Sequence, residues 1–266
     1  MRRVSVIGIG AGDPDDLTVA AIKALNATDV FFVIQKPARR DDLASQRREI
    51  IARYVTGSSH RTVVVEDPVR DRSATAYAEA VEDWRRRRAD VWEGLIGNEL
   101  ADGERGAFLV WGDPALYDST IAVIDDVLAR GNVAFELDVI PGISCIAALT
   151  ARHRIALNRV GKPVQITTGR RLAEGFPTDA DDVVVMLDAD CTFRAVGDRD
   201  LDIYWGAYIG TDDEILVSGR LADVADEIVR VRGEARERKG WIMDTYLLRK
   251  PDRSRFRGAD KKRGTR

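Results

Sequence analysis

The sequence predicts an α/β protein built as two α/β domains. Apolar runs of strand length alternate with longer stretches at helical spacing, the pattern of parallel strands joined by crossover helices. A Pro141-Gly142 break has expected strands on both sides, which places a domain boundary near residue 141. The 266 residues suffice for one large domain or two of ordinary size. The expected division is an N-terminal α/β domain over 1–141 and a C-terminal α/β domain over 142–249. A basic tail without aliphatic residues follows over 250–266 and is expected to be mobile.

In the first domain, short runs rich in Val, Ile and Phe predict strands near 3–9, 29–34, 62–66, 106–111 and 135–140. Thr18 is the expected cap of the first helix, with Val19, Ile22 and Leu25 on its buried side. The clearest helical period runs over 73–100, where Tyr77, Val81, Trp84, Val91 and Leu95 share one stripe. Arg85 to Arg88 mostly face away from that stripe. With Glu79, Glu82, Asp83 and Asp90 nearby, they predict a solvated face with local ion pairs. Two more helices should follow Gly112-Asp113-Pro114 and Ser144. In the second domain, strands are expected near 164–168, 183–187, 203–209, 214–218 and 241–248.

Composition excludes several classes. Hydrophobic residues make up 45% and charged residues 32%, as in a soluble globular protein rather than a disordered one. A net charge of −3 gives no general nucleic-acid footprint. Two cysteines (Cys145, Cys191) and two histidines (His60, His153) are too few for a zinc site or a disulfide scaffold, and suit a reducing compartment. No apolar run reaches the roughly 18–20 residues of a membrane span, and no signal-like segment precedes the first strand. A cytoplasmic protein with neither metal nor membrane partner is expected.

Four loops share one grammar, in which a strand ends, small or acidic residues follow, and a new element begins. They are "VSVIGIGAGDPDDLT" from Val4, "VWGDPALYDS" from Val110, "VIPGISCIAA" from Val139 and "YIGTDDEIL" from Tyr208. Such turns at the carboxyl ends of strands let backbone groups approach a ligand closely. The first loop suggests the dinucleotide fingerprint Gly-x-Gly-x-x-Gly, but the third glycine place is Asp13, followed by Pro14. A carboxylate there repels a pyrophosphate. The next strand also ends in Ile34-Gln35-Lys36 rather than in an acid for the ribose, and no Walker pattern is present. A nicotinamide or nucleoside triphosphate site is therefore disfavoured.

In combination and in this order, the four loops resemble the tetrapyrrole methylase family of S-adenosylmethionine-dependent methyltransferases. The likeness covers about residues 3–248. It implies two α/β domains of the tetrapyrrole methylase type with the cofactor cleft between them, S-adenosyl-L-methionine as cofactor and S-adenosyl-L-homocysteine as product. By position, the implied cofactor contacts are Gly10, Ala11, Trp111, Gly112, Asp113, Leu116, Ser144, Cys145, Leu187 and Gly210, with Met186 in place of Leu187 if the strand slips by one. This cofactor has a sulfonium, an ammonium, a carboxylate and a ribose but no phosphate. Glycine-lined backbone and a carboxylate such as Asp113 suit the ammonium or ribose, and helix N-terminal amides suit the carboxylate.

The subgroup likeness in "IGIGAGDPDDLTVAAIKALNATDVFF" and "LVWGDPALYDSTIAVI" implies a corrin-pathway reaction: methylation of precorrin-5 at C-1 with release of acetate. The implied partner is thus a tetrapyrrole, not a nucleic acid, and a homodimer is the implied assembly. Carboxylates rim such a macrocycle, so Arg39, Arg40, Arg152, Arg154, Arg170 and Arg171 are candidate contacts. The chain departs from the family pattern at Ala11, where many members have proline. At Ile34 some relatives carry an aspartate as proposed base, so no catalytic base can be transferred. Lys36, Tyr117, Asp118 and His153 are other titratable or polar groups near the loops, His153 with the alternative of a structural, partly buried role. Other readings are the same fold acting on a different tetrapyrrole, on rRNA or on a protein, and a cofactor-binding relative without turnover.

Overall fold

The computed structural model describes residues 1–35, 41–57, 59–69, 77–197 and 200–251. It forms two compact units, Met1–Cys145 and Ile146–Arg266. Residues 36–40, with Lys36, Arg39 and Arg40, and most of the expected tail lie outside the described residues.

The first unit holds strands β1 (Arg2–Gly8), β2 (Val30–Gln35), β3 (Arg61–Glu66), β4 (Arg105–Val110) and β5 (Phe135–Ile140) in the order β3-β2-β4-β1-β5. All its pairings are parallel. Alternating side chains serve two cores, as the pleat requires. Val4, Val6, Val30, Phe32, Phe108 and Val110 face α3 (Tyr77–Glu99) and α4 (Thr120–Arg130). Ile7, Phe31, Ala107 and Leu109 face α1 (Val19–Asn26) and α2 (Asp41–Tyr54).

Two helix expectations need correction. Thr18 does cap α1, its Oγ1 accepting from the Ala21 amide at 3.0 Å, but Val19 is 68% exposed. Leu25 is buried as expected and Ile22 is half-buried, while Ala21 takes the core place expected of Val19, which at 100° per residue points away from the face that carries Ala21 and Leu25. In α3 Leu95 is buried and Val91 packs partly buried against the same core, as expected, but Ala89, Trp92 and Ile96, outside the expected set, are buried beside them, and Trp92 stacks on Phe108 with centroids 4.5 Å apart; the Tyr77 side chain lies outside the described residues. The buried face widens to include Arg88. Its Nε meets Asp67 at 2.8 Å, Nη1 donates to Ser119 Oγ at 2.7 Å, and its guanidinium lies 4.7 and 4.8 Å from the Trp84 and Trp92 rings. Arg86 and Arg87 do form the expected local pairs with Asp83, and Arg85 pairs with Asp126 of α4.

In the second unit, β6 (Val164–Thr168), β7 (Asp182–Met186), β8 (Asp202–Ala207), β9 (Ile215–Arg220) and β10 (Asp244–Arg249) order as β6-β7-β10-β8-β9. Only β6 and β7 run parallel; the remaining pairs are antiparallel. The uniformly parallel expectation fails here because the short 208–214 turn can close a hairpin but not a parallel crossover. Helix α5 (Cys145–His153) precedes the sheet. The short α6 (Gly169–Leu172) follows β6, and α7 (Leu221–Lys239) follows β9. Gly240, at φ +74, ends α7, and the following strand therefore starts at Asp244, three residues later than expected.

Candidate functional site

In the first unit, β1 lies between β4 and β5, so the loops leaving their carboxyl ends sit side by side. The chains touch backbone to backbone. Gly10 and Gly112 form an isolated antiparallel bridge, with N–H to O distances of 3.3 and 2.7 Å. A Cβ added at Gly142 would fall 2.1 Å from the Gly112 oxygen and 2.9 Å from Gly8 Cα, so only glycine fits. The Asp113 carboxylate closes the frame by accepting from the Ala115 amide at 2.9 Å and from the Gly142 amide at 3.0 Å. Thr18 Oγ1 also donates to the Pro141 carbonyl at 3.5 Å. Three loops far apart in sequence thus become one rigid rim.

The predicted contacts that belong to the first unit occupy distinct places on that rim. Ala11 is buried, and Leu116, Ser144, Cys145 and Trp111 are half-buried. Gly112 has φ +69, and a Cβ there would meet nothing closer than Cys145 N at 3.9 Å and Ser144 Cα at 4.0 Å. A side chain there would rest in ordinary van der Waals contact with this backbone. Beside it, the indole Nε1 of Trp111 is buried and has no hydrogen-bond partner among the described residues. Asp13, in the third-glycine place of the excluded fingerprint, turns back to accept from the Asp15 amide at 2.9 Å. Tyr117 is 47% exposed at φ +50, and Asp118 accepts from the Thr120 amide at 2.6 Å. Ile34 is partly buried against the α3/α4 core and offers no base.

In the second unit, Leu187 directly follows β7 and is 66% exposed at φ +53. The left-handed turn ends the strand at Met186. Gly210 follows Tyr208, a buried residue at φ +48, and its amide donates to Glu214 Oε2 at 2.8 Å. Arg152 Nε reaches the same oxygen at 3.0 Å. Arg171 pairs with Glu174, while Arg154 and Arg170 are exposed. His153 is half-buried. Its Nε2 donates to the Trp205 carbonyl at 3.0 Å, its ring meets Tyr204 edge-on at 5.6 Å, and burial lowers its pKa. Sequence reasoning missed Glu214, Asp188 and Arg232, which support these turns. Glu214 could have been found from its place within the quoted loop, but the partners of Asp188 are distant in sequence.

Comparison with known proteins adds an independent finding. The profile of the Tetrapyrrole (Corrin/Porphyrin) Methylases matches residues 3–225. The chain belongs to the tetrapyrrole methylase family. Among curated methylases of this kind, it is 54% identical over 250 residues to a precorrin-6A synthase [deacetylating] of Sinorhizobium sp., covering 94% of this chain and 96% of that protein. Among solved structures, it is similar to a cobalamin synthesis related protein (CobF) of Corynebacterium diphtheriae. There the TM-score is 0.83 with 35% identity, over 95% of this chain and 100% of that one. A uroporphyrin-III C-methyl transferase of Thermus thermophilus, complexed with S-adenyl homocysteine, shares the methylase fold with TM-score 0.55. It is 18% identical, over 92% of this chain and 96% of the other. Among the described residues, no helix is long and apolar enough to cross a membrane.

Proposed function

We propose that this chain is an S-adenosylmethionine-dependent C-methyltransferase of cobalamin biosynthesis that converts precorrin-5 to precorrin-6A, methylating C-1 and releasing acetate. The observation that carries this is the 54% identity to a precorrin-6A synthase [deacetylating] across 94% of the chain. The relative with S-adenyl homocysteine bound supports the cofactor. The reading places the enzyme in the cytoplasm, in keeping with its sparse cysteines, and as a homodimer, as the family resemblance implies.

The residues present fit the cofactor. Gly112 leaves a backbone-walled cradle that a side chain would fill, and the buried Trp111 indole N–H offers a donor without an acceptor among the described residues. The proposed contacts are Gly10, Ala11, Trp111, Gly112, Asp113, Leu116, Ser144, Cys145, Leu187 and Gly210. When bound, S-adenosylmethionine supplies an electrophilic methyl on a sulfonium centre. The chain's own contribution is alignment. The glycine frame fixes where backbone groups stand, and positioning of this kind is worth up to about 7–11 kcal/mol of a barrier. Asp113 holds that frame through two backbone amides and keeps further lone pairs for an ammonium or hydroxyl. Release of acetate requires water to attack the acyl carbonyl; the ring carbon–acyl bond breaks, its electron pair stays with the macrocycle for bonding to the methyl group, and the protons of the attacking water are carried away.

The test is methyl transfer by the purified full chain from S-adenosylmethionine to precorrin-5. Formation of a methylated product with acetate supports the proposal. Transfer to RNA or protein instead of the tetrapyrrole would overturn it.

A further inference from the structure

Behind Leu187 the second unit contains a buried polar cluster. The Asp188 carboxylate, 5% exposed, accepts four hydrogen bonds. Asp190 N and Thr192 Oγ1 donate to its Oδ1 at 3.1 and 2.8 Å, and Thr192 N and Tyr246 Oη donate to its Oδ2, both at 2.7 Å. The backbone of the same turn is held from below. Arg232 of α7 donates Nη2 to the Asp188 carbonyl at 2.7 Å and Nη1 to the Ala189 carbonyl at 3.4 Å. Arg232 is anchored in turn by Asp244, Nε to Oδ2 at 2.9 Å, and Trp205 Nε1 donates to that same oxygen at 3.0 Å.

Two residues of this turn, Leu187 and Cys191, have positive φ although neither is glycine, at +53 and +54. Left-handed backbone at such residues is strained and persists only where its surroundings impose it. The carboxylate between them, tied to β10 through Tyr246, and the guanidinium beneath them are that imposition. Leu187, Ala189 and Asp190 of this turn are exposed, and Leu187 is the large apolar side chain among them, with two thirds of its surface exposed. An exposed leucine held in a strained conformation by buried charges is costly for a mere loop and suits a contact surface.

We propose that Asp188, together with Tyr246 and Arg232, is a positioning device for the methyl donor: it locks Leu187 in its outward, left-handed conformation before the cofactor arrives. This rests on the functional reading above, in which Leu187 contacts S-adenosylmethionine. The device touches no reacting atom. Its effect is preorganisation, so its loss weakens cofactor binding and leaves the chemical step alone.

The experiment is calorimetric titration of the full chain with S-adenosylhomocysteine, using four proteins: unaltered, Tyr246→Phe, Leu187→Gly and the double variant. Tyr246→Phe removes one hydroxyl from the cluster and is expected to raise Kd roughly three- to tenfold, about 0.6–1.4 kcal/mol. In the Leu187→Gly background, the same substitution should change Kd by less than about twofold, since the residue being positioned is gone. Thr192→Val attacks the carboxylate from the other side and should reproduce the effect, so the result does not depend on one variant folding. Kinetically, both variants should raise KM for S-adenosylmethionine and leave KM for the tetrapyrrole and kcat unchanged. Equal losses in both backgrounds, or no loss in the unaltered background, overturn the positioning role. Failure of the unaltered chain to bind S-adenosylhomocysteine would instead overturn the functional reading, and this inference with it.

Discussion

Replacing Gly142 by alanine should disable the rim while most of each unit remains folded. The new Cβ would lie 2.1 Å from the Gly112 oxygen, 2.8 Å from Gly8 C and 2.9 Å from Gly8 Cα. Ordinary carbon contacts begin near ~3.5 Å. None of these atoms belongs to a flexible side chain. Gly8 ends an interior strand paired on both sides in a parallel ladder, and Gly112 is fixed by its bridge to Gly10. Relief must therefore come from moving residue 142 outward, which breaks its amide's hydrogen bond to Asp113. Overpacking typically costs about 1–3 kcal/mol. Loss of a charged hydrogen bond adds about 1.5–3 kcal/mol, for a total of about 2.5–6 kcal/mol. For a unit of this size that corresponds to a drop in Tm of roughly 10 °C. Scanning calorimetry measures it, and titration with S-adenosylhomocysteine on the same sample reads the rim. Gly57→Ala is the control, because no atom lies within 4 Å of its Cβ position and the site is exposed. If Gly142→Ala matches the control in both measurements, the backbone contacts do not constrain the rim and the reasoning fails.

Three further outcomes are expected. Asp113→Ala should weaken S-adenosylhomocysteine binding by more than about tenfold, since a charged hydrogen bond is worth about 1.5–3 kcal/mol, whereas Asp113→Asn keeps one acceptor and should fall between; equal affinities in a titration would confine Asp113 to a purely structural role. Arg88→Ala strands the buried Asp67 carboxylate and should destabilise by about 3–5 kcal/mol, while Arg86→Ala, on the solvated face two residues earlier, should leave denaturant midpoints unchanged; similar midpoints for both would refute the burial argument. Burial holds the folded-state pKa of His153 below its unfolded value of about 6.5, so the unfolded chain binds the proton more readily. The contribution is complete above about pH 6.5 and is lost as pH falls towards the folded-state pKa. His153→Gln should flatten the acid side of a Tm–pH curve, and an unchanged slope would show that His153 titrates freely.

Legibility in the sequence followed the range of the interaction responsible. Strand runs such as "VSVIG" and "AFLV" become β1 and β4 because alternate residues feed two cores. The Thr18 cap was equally readable, since the bond it makes spans three residues. Long-range pairing was not. Arg88 looked like one charge among four until Asp67, Ser119 and two tryptophan rings surrounded it. The second sheet turned antiparallel through a tight connection that apolar runs do not encode. The glycine turns identified the family, but the roles of single residues within them were hidden. Nothing local shows that the Asp113 carboxylate reaches Gly142, or that the residue after Met186 turns left-handed over a buried carboxylate. Those features depend on groups tens of residues away.

The central claim is that methyl transfer and acetate loss occur together on one tetrapyrrole. Its most direct test is to quantify S-adenosylhomocysteine and acetate from the same reaction of the full chain with precorrin-5 and S-adenosylmethionine. One acetate for each S-adenosylhomocysteine is the predicted result, and S-adenosylhomocysteine without acetate would contradict it.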